Sequence, residues 1–327
     1  MKQIIKYKSK LLKGFVLFFF ILMFLFPYSS YKGASSGLML WFLNVLPTLL
    51  PFIIVSNLMI RINIAGKISN ILYPVFGRLF RVSPNGCYPI LIGFLSGLPM
   101  GAKSTADLAT EGKIDHKEAH FLLSMCNNAS PIFIMNYIAI NQLKIPRMRL
   151  ALFVIIYGSS ILSAIIYRNY LNHYNKKTQA YSDINIATAG VESKYKSVRF
   201  SFDILDKSIM NGFEVVTKIG GYIILFSILA QIINEIGPSF SFYKAILMGI
   251  LEITTGIDQI CKIHMDSNIK IVLVSFIASF GGLSGLAQTK SVLGESRLSI
   301  KTYIYVKMLS AIIAMSLSFL YVFLFRT

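Results

Sequence analysis

Glu252, in the run LEITTGID, is an ionisable side chain set in a stretch otherwise apolar enough to lie in a bilayer. A carboxylate there is expensive, so it marks a place where substrate donors, a coupling proton or a lysine partner such as Lys103 or Lys218 is held. Thr254 stands beside it, next to Thr255, Gly256 and Asp258. Three other apolar stretches are interrupted in the same way. SGLPMGAK carries Gly97, Pro99 and Lys103, CNNASP carries Asn127, Asn128 and Ser130 ahead of Pro131, and FGGLSGLAQ carries Ser284 and Gln288. Amides and hydroxyls of this kind give and accept hydrogen bonds to a small polar molecule. If Lys103 faces inward, its charge and the amide-rich starts of half-helices together favour an anion.

Each of these residues also has a structural reading. Glycines four apart, as at Gly93, Gly97 and Gly101, let helices pack closely in a bilayer. Asn127 and Asn128 can tie a hairpin to a broken helix, although adjacent amides point to different faces. Lys103 can snorkel to the cytoplasmic interface. Phe133 or Tyr137 can stack on a flat substrate, a weak signal in a chain with 25 Phe and 17 Tyr.

Other chemistry finds no support. HKEAH, residues 116–120, spaces two histidines one helical turn apart, but Glu118 is misplaced for a zinc protease and no third ligand follows. Cys87, Cys126 and Cys261 have no paired spacing and read as small buried residues. With no nucleophile elbow, phosphate loop or carboxylate pair, the chain is not expected to be an enzyme, and neither a metal nor a cofactor is expected beyond a coupling ion, H+ or Na+.

The elements that must position these residues are membrane helices. Of 327 residues 55% are hydrophobic and 14% charged, a balance foreign to soluble chains of this size. The net charge of +18 does not point to nucleic acid, because the basic residues lie in short segments between apolar runs, where they set topology. Spans are expected at 14–31, 36–60, 119–141, 149–168, 209–235, 268–292 and 302–325, with short interrupted pieces at 86–102 and 243–262 reading as re-entrant hairpins. The first stretch follows a basic segment but lacks a cleavage site, so it reads as a helix and not as a secretory signal. With the N-terminus in the cytoplasm, 23 Lys and Arg fall on the cytoplasmic side, Lys307 among them, and eight outside.

The fold class expected is therefore an all-α polytopic membrane protein, about seven transmembrane helices plus two re-entrant hairpins in an inverted repeat. Its parts are residues 1–35, a basic segment and first helix; 36–170, a first repeat; 171–207, a cytoplasmic linker; and 208–327, a second repeat. Paired interrupted segments in an inverted repeat point to a secondary transporter with a site near the midplane.

The segments GFLSGLPMGAKSTADLATEGKI, EAHFLLSMCNNASPIFI, EITTGI and FGGLSGLAQTKSVL resemble those of the YlbJ-type stage V sporulation integral membrane proteins. These fall within the wider group with nucleoside-recognition (Gate) domains, similar in architecture to concentrative nucleoside transporters. The resemblance covers about residues 36–325. It implies movement of dipicolinic acid across the outer forespore membrane, and substrate-site roles for Gly97, Pro99, Lys103, Asn127, Asn128, Ser130, Glu252, Thr254, Ser284 and Gln288. The partners expected are a small-molecule substrate and the lipid bilayer; a homo-oligomer is compatible with this reading, and nucleic acid is not. A nucleoside carrier and a non-transporting scaffold in spore assembly are the alternatives.

Overall fold

The computed structural model describes residues 2–62, 64–178, 201–236 and 242–325, and these are mainly helical, without a strand. The expected linker at 171–207 lies largely outside the described residues. Its ends are helical, because the helices on either side run further than their apolar cores require.

The N-terminal region departs from expectation. One helix over 14–31 is replaced by α1 (Lys2–Leu25) and α2 (Pro27–Leu40), whose axes bend by 107° at Phe26. Pro27 has no amide to continue the ladder, and its fixed φ suits the first position of a new helix. The chain passes from α2 through a π-helical turn, Trp41–Val45, into α3 (Leu46–Arg61), so the expected second helix at 36–60 is the latter part of a longer run.

Next comes α4 (Ile64–Phe80), where the charge count had implied only a cytoplasmic connection. It is amphipathic: Ile71, Val75 and Leu79, spaced one turn apart, are all exposed, the first at 77%. Such a face suits a helix lying in the plane of a membrane interface.

The rest of the chain repeats one order of elements. A hairpin of α5 (Cys87–Ser96) and α6 (Met100–Thr110) is followed by α7 (His116–Cys126), a break, a π-helical segment Phe133–Gln142, and the long α8 (Arg149–Thr178). After α9 (Phe202–Glu235) come a hairpin of α10 (Phe242–Leu251) and α11 (Ile253–Lys262), a broken pair α12 (Ser267–Phe280) and α13 (Gly282–Val292), and the long α14 (Ile300–Phe325). Among the described residues, four stretches are long and apolar enough to cross a membrane: Pro146–Leu171, Phe202–Glu235, Ser267–Val292 and Ile300–Phe325, or five with the bent pair at Phe26. Seven were expected. The difference arises because the expected spans 36–60 and 119–141 are divided by a π-helical turn and by four non-helical residues.

Apolar surface gives helices no reason to associate inside lipid, so small residues and hydrogen bonds do that work. At the crossing of α2 and α9, Cβ atoms at Gly33 and Gly37 would lie 2.6 Å from Ile228 Cα and 2.9 Å from Ile224 Cα. The two repeats are joined by α8, α12 and α14, where Ser159 Oγ lies 3.3 Å from Ser279 Oγ and 3.2 Å from Ser310 Oγ. Bonds of this type contribute about 0.6 kcal/mol each in a bilayer.

Candidate functional site

The glycines of the first hairpin are there to let it touch the first broken helix. A Cβ at Gly93 or at Gly101 would sit 2.2 Å from the Cys126 carbonyl oxygen, and one at Gly97 2.6 Å from the Ser130 amide nitrogen. Gly97 also has φ +77°, a conformation that L side chains rarely adopt. Beyond it, the Leu98 amide donates to the Asn128 carbonyl at 2.6 Å, and a cis peptide leads into Pro99 at the start of α6. The hairpin tip is thus bonded to the non-helical residues Asn127–Ser130. The Leu98 side chain reaches the second repeat, within 3.9 Å of a Cβ position at Gly281 and 3.7 Å of one at Gly285.

The break leaves the last carbonyls of α7 without helical partners, and each must be satisfied in a membrane. Ser160 Oγ donates to the carbonyls of Ser124 and Met125, both at 3.2 Å. Asn128 Nδ2 donates to Met125 O at 2.8 Å. The Asn127 carbonyl accepts from Lys307 Nζ at 3.2 Å and from Tyr303 OH at 3.3 Å. Lys307 Nζ also donates to Asn128 Oδ1 at 3.0 Å. From the other side, Asn127 Nδ2 donates to Thr289 Oγ1 and to Tyr303 OH, both at 2.8 Å, while its Oδ1 is buried without a partner.

Lys307 is a correction. Counted by sequence as a cytoplasmic flank, it is 1% exposed and lies in the bundle at the end of α7. The asymmetry of basic residues survives its removal from the count. Thr289, Tyr303 and Lys307 escape a reading by sequence, and the only signal was their spacing: Tyr303 and Lys307 stand one turn apart on one helix face.

The two candidate amides therefore meet in one network, with different roles as their differing faces require. Ser130 is local to it, its Oγ accepting from the Phe133 amide at 3.2 Å. Lys103 is elsewhere: it is buried on α6 and paired with Asp107 at 2.7 Å, one turn along. Ser284 and Gln288 bond to each other at 3.1 Å, and it is the next residue, Thr289, that reaches Asn127.

Glu252, 2% exposed, caps α11: its Oε2 accepts from the Thr255 amide at 2.7 Å and the Thr255 hydroxyl at 2.8 Å. No lysine or arginine lies within ion-pair distance of it among the described residues, so neither Lys103 nor Lys218 is its partner; Lys218 pairs with Glu214. Its backbone lies against the second break, where a Cβ at Gly282 would be 3.5 Å from Glu252 Cα. Thr254 and Thr255 open onto a cavity of about 680 Å³ bounded by α2, α9, α11 and the π-helical segment. Lys32, Tyr137, Gln231 and Asp258 also line it. Tyr137 OH donates to the Thr254 carbonyl at 3.2 Å, and its ring stacks on Phe133 at 4.8 Å.

The resemblance to YlbJ-type proteins extends to a comparison of whole chains. The sequence is 26% identical over 332 aligned positions to the sporulation integral membrane protein YlbJ of Bacillus subtilis (strain 168), covering 94% of this chain and 81% of that one. The chain is YlbJ-like over almost its whole length. No family profile matches it, and no solved structure matches it.

Proposed function

We propose that the protein is a secondary-type transporter of a small polar, anionic molecule, working in sporulation as its YlbJ-like character implies, with dipicolinic acid as the substrate the resemblance suggests. One observation carries the reading: interrupted segments from both halves meet at Leu98, whose amide bonds Asn128 while its side chain lies against Gly281 and Gly285. Broken backbone is stable at membrane depth only where protein or a water-filled cavity satisfies it, and paired breaks are the mark of a moving substrate path. The adjoining polar cavity, near 680 Å³, falls in the range of small-molecule sites, and with Lys262 paired to Asp258 on the same wall, Lys32 supplies the charge that favours an anion. Residues Asn127, Asn128, Glu252 and Thr254 are the substrate-path residues in this reading. The N-terminus is placed in the cytoplasm and the protein in the outer forespore membrane.

Uptake of labelled dipicolinate into vesicles bearing the folded protein tests it. Uptake above empty vesicles, competed by dipicolinate, is expected. Uptake competed by uridine but not by dipicolinate would make the protein a nucleoside carrier, and none with any of these ligands would leave a membrane scaffold.

A further inference from the structure

Among the described residues, Lys307 has no carboxylate to answer its charge. The elements packed against α14 are α7, α8, α12 and α13. Three of these contain no Asp or Glu, and α14 contains none. The fourth, α7, has one, Glu118, in its first turn at the far end from Asn127 and bonded to the Ser83 amide at 2.6 Å. The other titratable groups on these faces are neutral or remote. Tyr303 shares Asn127 with Lys307, Cys126 is buried beside it, and Tyr157 on α8 donates to the Phe94 and Ala129 carbonyls. Lys270 on α12 bonds the Cys261 carbonyl, Lys290 on α13 is exposed, and Arg168 on α8 bonds the Phe80 carbonyl. His116 and His120 stack together in the first turns of α7, and Arg149 opens α8.

What Nζ bonds is oxygen of the accepting kind: a carbonyl at the C-terminal end of a half-helix and an amide oxygen. The negative end of a helix dipole and amide oxygens suit a cation at the position of Nζ. A buried ammonium with three donors finds two acceptors here, whereas a neutral amine with two donors finds both satisfied. The site therefore accommodates either protonation state and holds a preference for a cation at the junction of the two repeats.

We propose that Lys307 is a tethered cation in a seat built by the end of α7, and that the protein couples its working cycle to protons at Nζ and not to a dissolved alkali-metal ion. The coupling half of this rests on the transporter reading; the seat does not. In each cycle one N–H bond of the ammonium breaks, its electron pair stays on nitrogen, and the proton passes to water on one side of the membrane. In the next half-cycle a proton from water on the other side rebinds that pair. The neutral amine keeps its two bonds to Asn127 O and Asn128 Oδ1 but loses their charge assistance, which weakens the hold of α14 on the broken segment.

The full-length protein in detergent micelles tests the seat by thermal melting, with sodium, potassium or choline chloride at fixed ionic strength and across the neutral to alkaline range. The expected result is a melting temperature that changes with pH but not with the alkali cation. Lys307→Met should flatten the pH profile. Lys307→Ala should regain on the order of a few degrees with propylammonium, which replaces the deleted atoms, and not with choline. If the alanine variant does not fold, the methionine variant alone decides. A pH profile unchanged in Lys307→Met, or specific stabilisation of the wild type by sodium, overturns the proposal. So does stabilisation by dipicolinate that vanishes in Lys307→Met while the pH profile stays, which would make Lys307 the counter-charge of an anion. None of these readouts needs flux. A moved pH profile without vesicle uptake retires the transporter reading and keeps the seat; uptake with an unmoved profile does the reverse.

Discussion

The Leu98 amide donates to the Asn128 carbonyl at 2.6 Å, so the tip of the first hairpin and the gap in the first broken helix are hydrogen-bonded to each other. Two interruptions that would each be costly in a membrane are made affordable by being placed together.

That contact depends on Gly97, so Gly97→Ala is expected to unfold it. The new Cβ meets backbone of Ser130 at 2.6 Å, which cannot rotate away, and φ +77° adds about 1–2 kcal/mol of strain. Gly221→Ala, in α9 with nothing within 4 Å of the new atom, should leave stability unchanged or raise it by up to about 1 kcal/mol. Comparing the melting temperatures of the two variants in the same detergent checks this, and equal values would deny the close contact.

Much of this was legible beforehand because Gly, Pro and adjacent Asn act locally. The breaks at Gly97–Pro99, Asn127–Ser130 and Gly281 fall where those residues stand in apolar runs, and the fourth falls at the ionisable Glu252. What could not be read depends on neighbours distant in sequence. Lys307, seven residues into α14, looks like an interfacial flank, and only the arrival of the α7 end makes it an interior group. Lys103 looks like a site lysine until Asp107 takes it. The α4 helix escaped because its period is amphipathic and too weak for a span, and the bend at Phe26 because a long apolar run hides one proline.

If Glu252 serves only to cap α11, Glu252→Gln should fold and work, since its side-chain oxygen can still accept from Thr255. Glu252→Ala should cost about 1 kcal/mol in either case, the usual loss of an N-cap. A substrate or proton role predicts that the glutamine variant melts like wild type yet loses uptake. Melting and vesicle uptake measured side by side separate the two.

For Lys103 the pair with Asp107 predicts a stability effect on the order of 1 kcal/mol and little effect on uptake. Lys103→Met and Asp107→Asn should then be less than additive when combined, because each removes the same interaction. A Lys103→Met variant that melts normally but fails to take up an anion would restore Lys103 to the substrate path.

Outside the spans, burial pushes the Glu118 carboxyl up, while the Ser83 amide at 2.6 Å and its hydroxyl pull it back, with burial the larger influence. A folded-state value above the ordinary one means that the unfolded chain releases this proton more readily. Its contribution therefore turns against the fold as pH rises from the ordinary value of 4.5 through the raised one. Glu118→Gln keeps an oxygen for Ser83 and cannot ionise, so it should melt like wild type in acid and above it once wild-type Glu118 is ionised. Melting both proteins across that window checks the sign, and a variant that is less stable at neutral pH would show that the charge-assisted bond to Ser83 outweighs the cost of burial.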